Sequence, residues 1–188
     1  MLKASNPKQI LGIVGSPRRG GNTEILADEV LAGAAEAGAL TEKVMLSKLD
    51  IGPCRACDAC KKTGKCVQQD DMHALLEQME QSDVWVLGTP VYYWGPTAQF
   101  KALVDRWYGA GKAVEFKGKR VILIIPLGSG SAYDARHTVG MLKDALSWQK
   151  TELLTTLLVP GVMKRGAVRE RHDVLATARR AGRDAAQK

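Results

Sequence analysis

The sequence predicts an α/β fold, a single domain in which helices pack on a parallel β-sheet. Three observations carry that expectation. Five short apolar runs, most of them rich in β-branched residues, alternate with five stretches of helical periodicity along the 188 residues. The fourth run, RVILII, is almost wholly apolar, as in a strand covered on both faces. Polar loops rich in small or aromatic residues follow the first, third and fourth runs, which places them at the carboxyl ends of parallel strands.

The first strand carries Ile10, Leu11, Ile13 and Val14. GSPRRGGNT at 15–23 follows, and then a helix over 23–37 with Ile25, Leu26, Val30 and Leu31 on one side. A loop between a strand end and a helix start presents unpaired N–H groups and the positive end of the helix dipole. Ser16, Arg18, Asn22 and Thr23 therefore make it a candidate anion site. Gly15 and Gly20 have P-loop spacing, but Gly21 and Asn22 stand where that motif needs Lys and Ser or Thr. No G-x-G-x-x-G opens at Gly12 or Gly15 either, which leaves a mononucleotide phosphate as the anion the loop suits.

A second strand over 41–46 alternates polar and apolar residues, as an edge strand does. Residues 47–69 form an irregular excursion, with Asp70 or Asp71 capping a helix that carries Met72, Leu75, Leu76 and Met79. The third strand, 84–87, runs into TPVYYWGPT, and the next helix carries Phe100, Leu103, Val104 and Trp107. Strand four covers 120–125 and is followed by PLGSGSAY at 126–133 and a helix over 136–148. A fifth strand at 151–158 and a helix over 168–185 complete five βα units with right-handed crossovers.

Trp85 and Trp107 read as core residues, but Tyr92, Tyr93 and Trp94, adjacent in one loop, cannot all enter one core. They offer a π-surface to a flat heterocycle instead. The four cysteines all fall in PCRACDACKKTGKC, spaced C-x2-C-x2-C-x5-C. Such clustering points to metal or redox work, with an iron–sulfur cluster, zinc, and reduced cysteines without metal as the alternatives. The compact triple favours a cubane cluster, whose charge Arg55, Lys61, Lys62 and Lys65 would offset. His73, His137 and His172 lack partner motifs and read as surface or capping residues, and adjacent Asp105 and Arg106 read as a structural ion pair.

Composition excludes several classes. No apolar run approaches a membrane span, and MLKASNPKQ leads straight into the first strand, so the expected location is the cytoplasm. The net charge of +7 is spread along a C-terminal helix rather than gathered with aromatics, which argues against a nucleic-acid partner. No Ser-His-Asp or paired-carboxylate arrangement suggests hydrolysis.

Together, GSPRRGGNT at 15–23, PCRACDACKKTGKCVQQDDM at 53–72, SDVWVLGTPVYYWGPTAQFKALVDRW at 82–107 and GVMKRGAV at 161–168 resemble the flavodoxin-like NAD(P)H-dependent FMN reductases, and among them the iron–sulfur flavoproteins. The resemblance covers nearly the whole chain. It implies one flavodoxin-like three-layer domain over 1–188, a five-stranded parallel sheet in the order 2-1-3-4-5, and a cysteine-rich insertion at about 50–69. It also implies bound FMN. Ser16, Arg18, Asn22 and Thr23 would hold its phosphate, Pro90, Val91, Tyr92, Tyr93, Trp94 and Gly95 would flank its ring, and Gly128, Ser129, Gly130 and Ser131 would line the far side. Cys54, Cys57, Cys60 and Cys66 would ligate a [4Fe–4S] cluster. The expected protein is a homodimer or homotetramer that exchanges electrons with NAD(P)H and a small-molecule or protein redox partner. A metal-free FMN or quinone reductase and a flavodoxin-like electron carrier are the alternatives.

Overall fold

The computed structural model describes residues 6–110 and 115–187. Residues 1–5 of the expected lead-in lie outside the described residues. Strands β1 (Gln9–Val14), β2 (Leu40–Met45), β3 (Val84–Gly88), β4 (Arg120–Pro126) and β5 (Glu152–Val159) form one sheet in the order β2-β1-β3-β4-β5. Every neighbouring pair is parallel, as the sequence predicts. The α-helices among the described residues are α1 (Asn22–Glu36), α2 (Ala59–Thr63), α3 (Met72–Gln81), α4 (Ala98–Arg106), α5 (Arg136–Trp148) and α6 (His172–Gln187).

Alternation along the central strands builds two cores. Leu11, Ile13, Trp85, Leu87, Val121, Leu123 and Ile125 face α3, α4 and α5. Ile10, Val14, Val84, Val86, Ile122 and Ile124 face α1 and α6 on the other side. Trp85 is fully buried, its indole N–H donates to Met79 O at 2.8 Å, and its ring meets Phe116 edge-on. β2, at the edge, is mostly exposed or half-buried.

Helices α1 and α6 approach closely because two glycines leave room. A Cβ on Gly182 would lie 1.8 Å from Val30 O, and one on Gly33 would lie 1.9 Å from Arg179 O. Arg179 then pairs with Glu29 and Glu36 across the same seam.

The last helix departs from expectation. Residues Ala167–Glu170 form a 3-10 turn, and α6 starts only at His172. Gly166, at φ 76°, and Arg171, at φ −99° and ψ 71°, bracket that turn and break the helical path. Helix α4 likewise stops at Arg106 and passes into a 3-10 turn, Trp107–Gly109, with Trp107 buried as expected.

The ladder continues one step past each strand. Gly15 N–H bonds Gly88 O at 2.7 Å, Thr89 N–H bonds Ile124 O at 3.0 Å, and Leu127 N–H bonds Val159 O at 2.9 Å. Four loops therefore leave the sheet along one edge.

Gly182→Val is expected to destabilise the fold by about 3 kcal/mol or more, since backbone rather than a side chain must give way. Gly140→Ala, in α5 with open space where the Cβ would be, is expected to stabilise it by about 0.5–1 kcal/mol. Urea unfolding of the two variants checks both signs.

Candidate functional site

A cavity of about 390 Å³ opens at the carboxyl edge of the sheet. Its walls come from the loops after β1, β3, β4 and β5, within the size range of small-molecule sites. Of the residues the sequence singles out, Ser16, Arg18, Asn22, Thr23, Pro90, Val91, Tyr92, Tyr93, Trp94, Gly128 and Ser129 line it. Gly95, Gly130 and Ser131 do not line it. Gly95 instead closes the aromatic turn, and Ser131 caps the 3-10 turn Ala132–Ala135 by accepting from Tyr133 N–H.

One end of the cavity is built for an anion. Ser16 and Thr23 are buried hydroxyl residues, and α1 begins here with Asn22 and Thr23, whose amides have no intrahelical acceptor. Within the loop, Arg18 N–H bonds Ser16 Oγ, Gly21 N–H bonds Arg18 O, and Gly20 N–H bonds Glu24 Oε2. Burial pushes the Glu24 carboxyl up, but Lys43 and the Gly20 amide outweigh it and hold the group ionised.

Asn22 is placed differently from the expectation. Its side-chain amide donates to Val162 O at 2.8 Å and Lys164 O at 2.9 Å, and its Oδ1 accepts from Val168 N–H at 3.1 Å. The side chain is thus spent on fastening the loop after β5 against α1, and only its backbone is left for the anion site. That same loop adds Val162, Met163 and Arg165 to the cavity wall, which sequence reasoning did not single out. The signal was there in GVMKRGAV, a basic, glycine-bounded segment at a strand's carboxyl end. Asp134, also missed, lines the cavity and accepts from Ser129 Oγ.

The other end is aromatic and strained. Tyr92 and Gly95 exchange backbone hydrogen bonds at 2.8 and 3.0 Å, with Tyr93 at φ 47° and Trp94 at φ 61° between them. Paired positive φ values normally call for Asn-Gly, and each bulky residue held there costs about 1–3 kcal/mol. Thr138 Oγ1 donates to Trp94 O at 2.8 Å and fixes the turn from α5. Tyr93 stays 97% exposed and Trp94 53%, so neither ring repays the strain by burial in the core.

The cysteines line a second, much smaller cavity, together with Arg106, Gln68 and Tyr108. All four are free thiols. Among the described residues no three metal-capable side chains form a group that could hold a metal ion, so the four sulfurs share a cavity without forming a ready-made metal site. Of the basic residues expected to offset a cluster, Arg55 lines this cavity, while Lys61 pairs with Asp58 at 3.0 Å.

The neck of the insertion is clamped by charges the sequence reading assigned otherwise. Asp105 pairs with Lys101 one helical turn away, not with Arg106. Arg106 is buried and forks onto Asp70, Nη1 to Oδ2 at 2.5 Å and Nη2 to Oδ1 at 2.9 Å, while Nη1 also donates to Gly52 O at 2.9 Å. Asp70 further accepts from Gly52 N–H and Met72 N–H, and Asp71 accepts from Asp50 N–H at 2.7 Å. Of the two aspartates, one of which is expected to cap the helix, Asp71 holds the N-cap position without a side-chain cap bond and Asp70 takes the first-turn Met72 N–H. Both also staple the entry of the excursion to its exit. His73 is tied to Gln68 O at 2.8 Å. Burial opposes ionisation of Asp70, but the Arg106 bond and the Gly52 amide win and hold its carboxyl below the ordinary value.

Two outcomes follow from this geometry. Replacing Tyr93 with Asn and Trp94 with Gly together is expected to stabilise the fold by about 1–2 kcal/mol in urea unfolding, by releasing strain. Asp70→Asn is expected to lower stability at neutral pH. Because the folded carboxyl titrates below the unfolded one, that deficit relative to the parent should shrink as pH falls below about 4, measured by urea midpoints against pH.

An iron–sulfur flavoprotein of Methanocaldococcus jannaschii is 44% identical over 98 residues, which cover 52% of this chain and 51% of the relative. One from Archaeoglobus fulgidus is 41% identical over 109 residues, covering 58% and 50%. The chain thus spans about half the length of these curated relatives. In three dimensions it is similar to an NAD(P)H:quinone oxidoreductase from Methanothermobacter marburgensis, with a TM-score of 0.74, 19% identity, and coverage of 95% of this chain and 96% of the other. The sequence model of the NADPH-dependent FMN reductase family matches residues 9–161, and the chain belongs to that family.

Proposed function

We propose that this protein is an FMN-dependent oxidoreductase of the iron–sulfur flavoprotein type, drawing electrons from NAD(P)H. The observation that carries the reading is the single cavity with hydroxyls, arginines and a helix start at one end and an aromatic turn at the other. The donor set suits a phosphate and the opposite wall suits a flat ring. Bound FMN supplies the hydride and single-electron chemistry that no side chain here offers.

The chain's own residues bind and shield. Ser16, Thr23, the first amides of α1, Arg18 and Arg165 take the phosphate. Pro90, Val91, Tyr92 and Trp94 flank the ring, and Gly128 and Ser129 close the other side. Tyr93, at the exposed tip, is placed to meet the nicotinamide donor or the redox partner. Exposed Met163 on the cavity lining and exposed Tyr133 in the loop after β4 suit a homodimer or homotetramer contact. Free thiols fit a reducing compartment such as the cytoplasm.

We extend the reading to Cys54, Cys57, Cys60 and Cys66 as ligands of a [4Fe–4S] cluster. Four free thiols on one cavity are the right donors, and a buried guanidinium N–H beside them lacks a partner. The lack of a metal-holding group among the described residues favours the second reading, a metal-free NAD(P)H-dependent FMN or quinone reductase.

Anaerobic purification with iron, sulfide and flavin assays decides between them. Iron and sulfide with flavin support the first reading, flavin alone supports the second, and no flavin even after adding FMN overturns both. NAD(P)H oxidation with a quinone acceptor then separates an enzyme from an electron carrier. Arg18→Ala and Arg165→Ala are each expected to weaken FMN binding about tenfold while leaving riboflavin binding unchanged, since only FMN carries the phosphate. The Asn-Gly replacement of Tyr93 and Trp94 is expected to weaken both ligands alike. Fluorescence titration of the apoprotein reads each case.

A further inference from the structure

Arg106 is the one charged residue in the buried class among the described residues. Its place at the end of α4 puts it on the lining of the cysteine cavity, which Cys66 also borders. The clamp at the neck uses only its terminal nitrogens, Nη1 toward Gly52 O and Asp70 and Nη2 toward Asp70. Its Nε is buried without a hydrogen-bond partner, a costly arrangement for a charged donor. A neck clamp alone does not require that third donor.

We propose that Arg106 is the positioning residue of the cysteine site, giving its spare guanidinium N–H to the Cys66 sulfur so that this ligand is held in place and the cluster's reduction potential is raised. The inference rests on the cluster reading above.

Several features support it. The fork onto Asp70 and the bond to Gly52 O leave the guanidinium no freedom to turn away. Cys66 Cβ sits 3.2 Å from where a Cβ on Gly109 would be, so the missing side chain lets Cys66 press against the turn after Arg106. Gln68 Nε2, which donates to Pro53 O, lies 4.0 Å from Cys66 Sγ and supplies a second, weaker donor. Each electron added to a cluster would add negative charge on its sulfurs, and a buried cation with an unspent N–H on the same cavity would stabilise that added charge.

The test compares the anaerobically prepared holoprotein with Arg106→Lys, which keeps a positive charge for Asp70 but has neither Nε nor the fork. Two quantities are read: the cluster potential, by a dithionite titration followed by electron paramagnetic resonance, and the rate of iron loss to a chelator. FMN content serves as the control for folding. In the titration one electron enters the cluster from dithionite and no bond is made or broken. The proposal expects a more negative potential and roughly tenfold faster iron loss in the variant, with FMN content unchanged. An unchanged potential and an unchanged rate overturn it and leave Arg106 as a neck clamp only. A parent protein that keeps FMN but takes up no iron overturns the cluster reading and this inference together. If Arg106→Lys loses FMN, the double variant Asp70→Asn with Arg106→Gln, which leaves no unpaired buried charge, is read for the same two outcomes.

Discussion

The molecule depends on one constraint, the common level at which its central strands end. Parallel pairing alone brings β1, β3 and β4 side by side. The extra ladder bonds from Gly15 to Gly88, from Thr89 to Ile124 and from Leu127 to Val159 make the loops depart from the same edge. Buried Thr97 then ties two of those loops together. Its Oγ1 donates to Gly15 O at 2.7 Å and its N–H bonds Thr89 Oγ1 at 3.1 Å. Phe100, one turn on, packs so closely under Gly15 that a Cβ there would fall 2.7 Å from its ring. The anion end and the aromatic end of the cavity are held in one geometry by groups that touch no ligand.

That rigidity is what allows the turn at Tyr93 and Trp94 to persist. A local sequence free to relax would not keep two large aromatic residues at positive φ. Here the turn is over-determined by the Tyr92–Gly95 bonds and by Thr138 on α5. Strain held by surrounding structure, on exposed rings at the mouth of a cavity, is expected where recognition rather than stability sets the residue type.

Much of the fold was legible because its signals are local. Apolar runs, helical repeats and turn residues are read within a window of a dozen positions, and these fix five βα units. The cavity's first two loops were legible for the same reason, since hydroxyls, arginines and aromatics crowd into short segments. What escaped depends on distant partners. Asn22 looks like a phosphate ligand beside Thr23, but its side-chain acceptors and donor lie about 140 residues on, in the loop after β5. Arg106 looks like the partner of its neighbour Asp105, yet successive helical residues point apart, and Asp105 takes Lys101 instead. The true partner, Asp70, reads as a helix cap until the chain is folded.

Helix α4 joins these two lessons. It is nine residues long, about 13 Å, and none of its residues lines the larger cavity. Yet its N-cap, Thr97, fixes the walls of the flavin-sized cavity, and its last residue, Arg106, fixes the neck of the cysteine insertion. Between them Phe100 and Leu103 are fully buried in the core on that face of the sheet. The insertion therefore does not hang on the domain as a loose loop. It is referenced, through one short rigid bar and one buried ion pair, to the same strand ends that shape the cavity. Helix α4 thus makes one contact set at each site, through Thr97 at its start and Arg106 at its end.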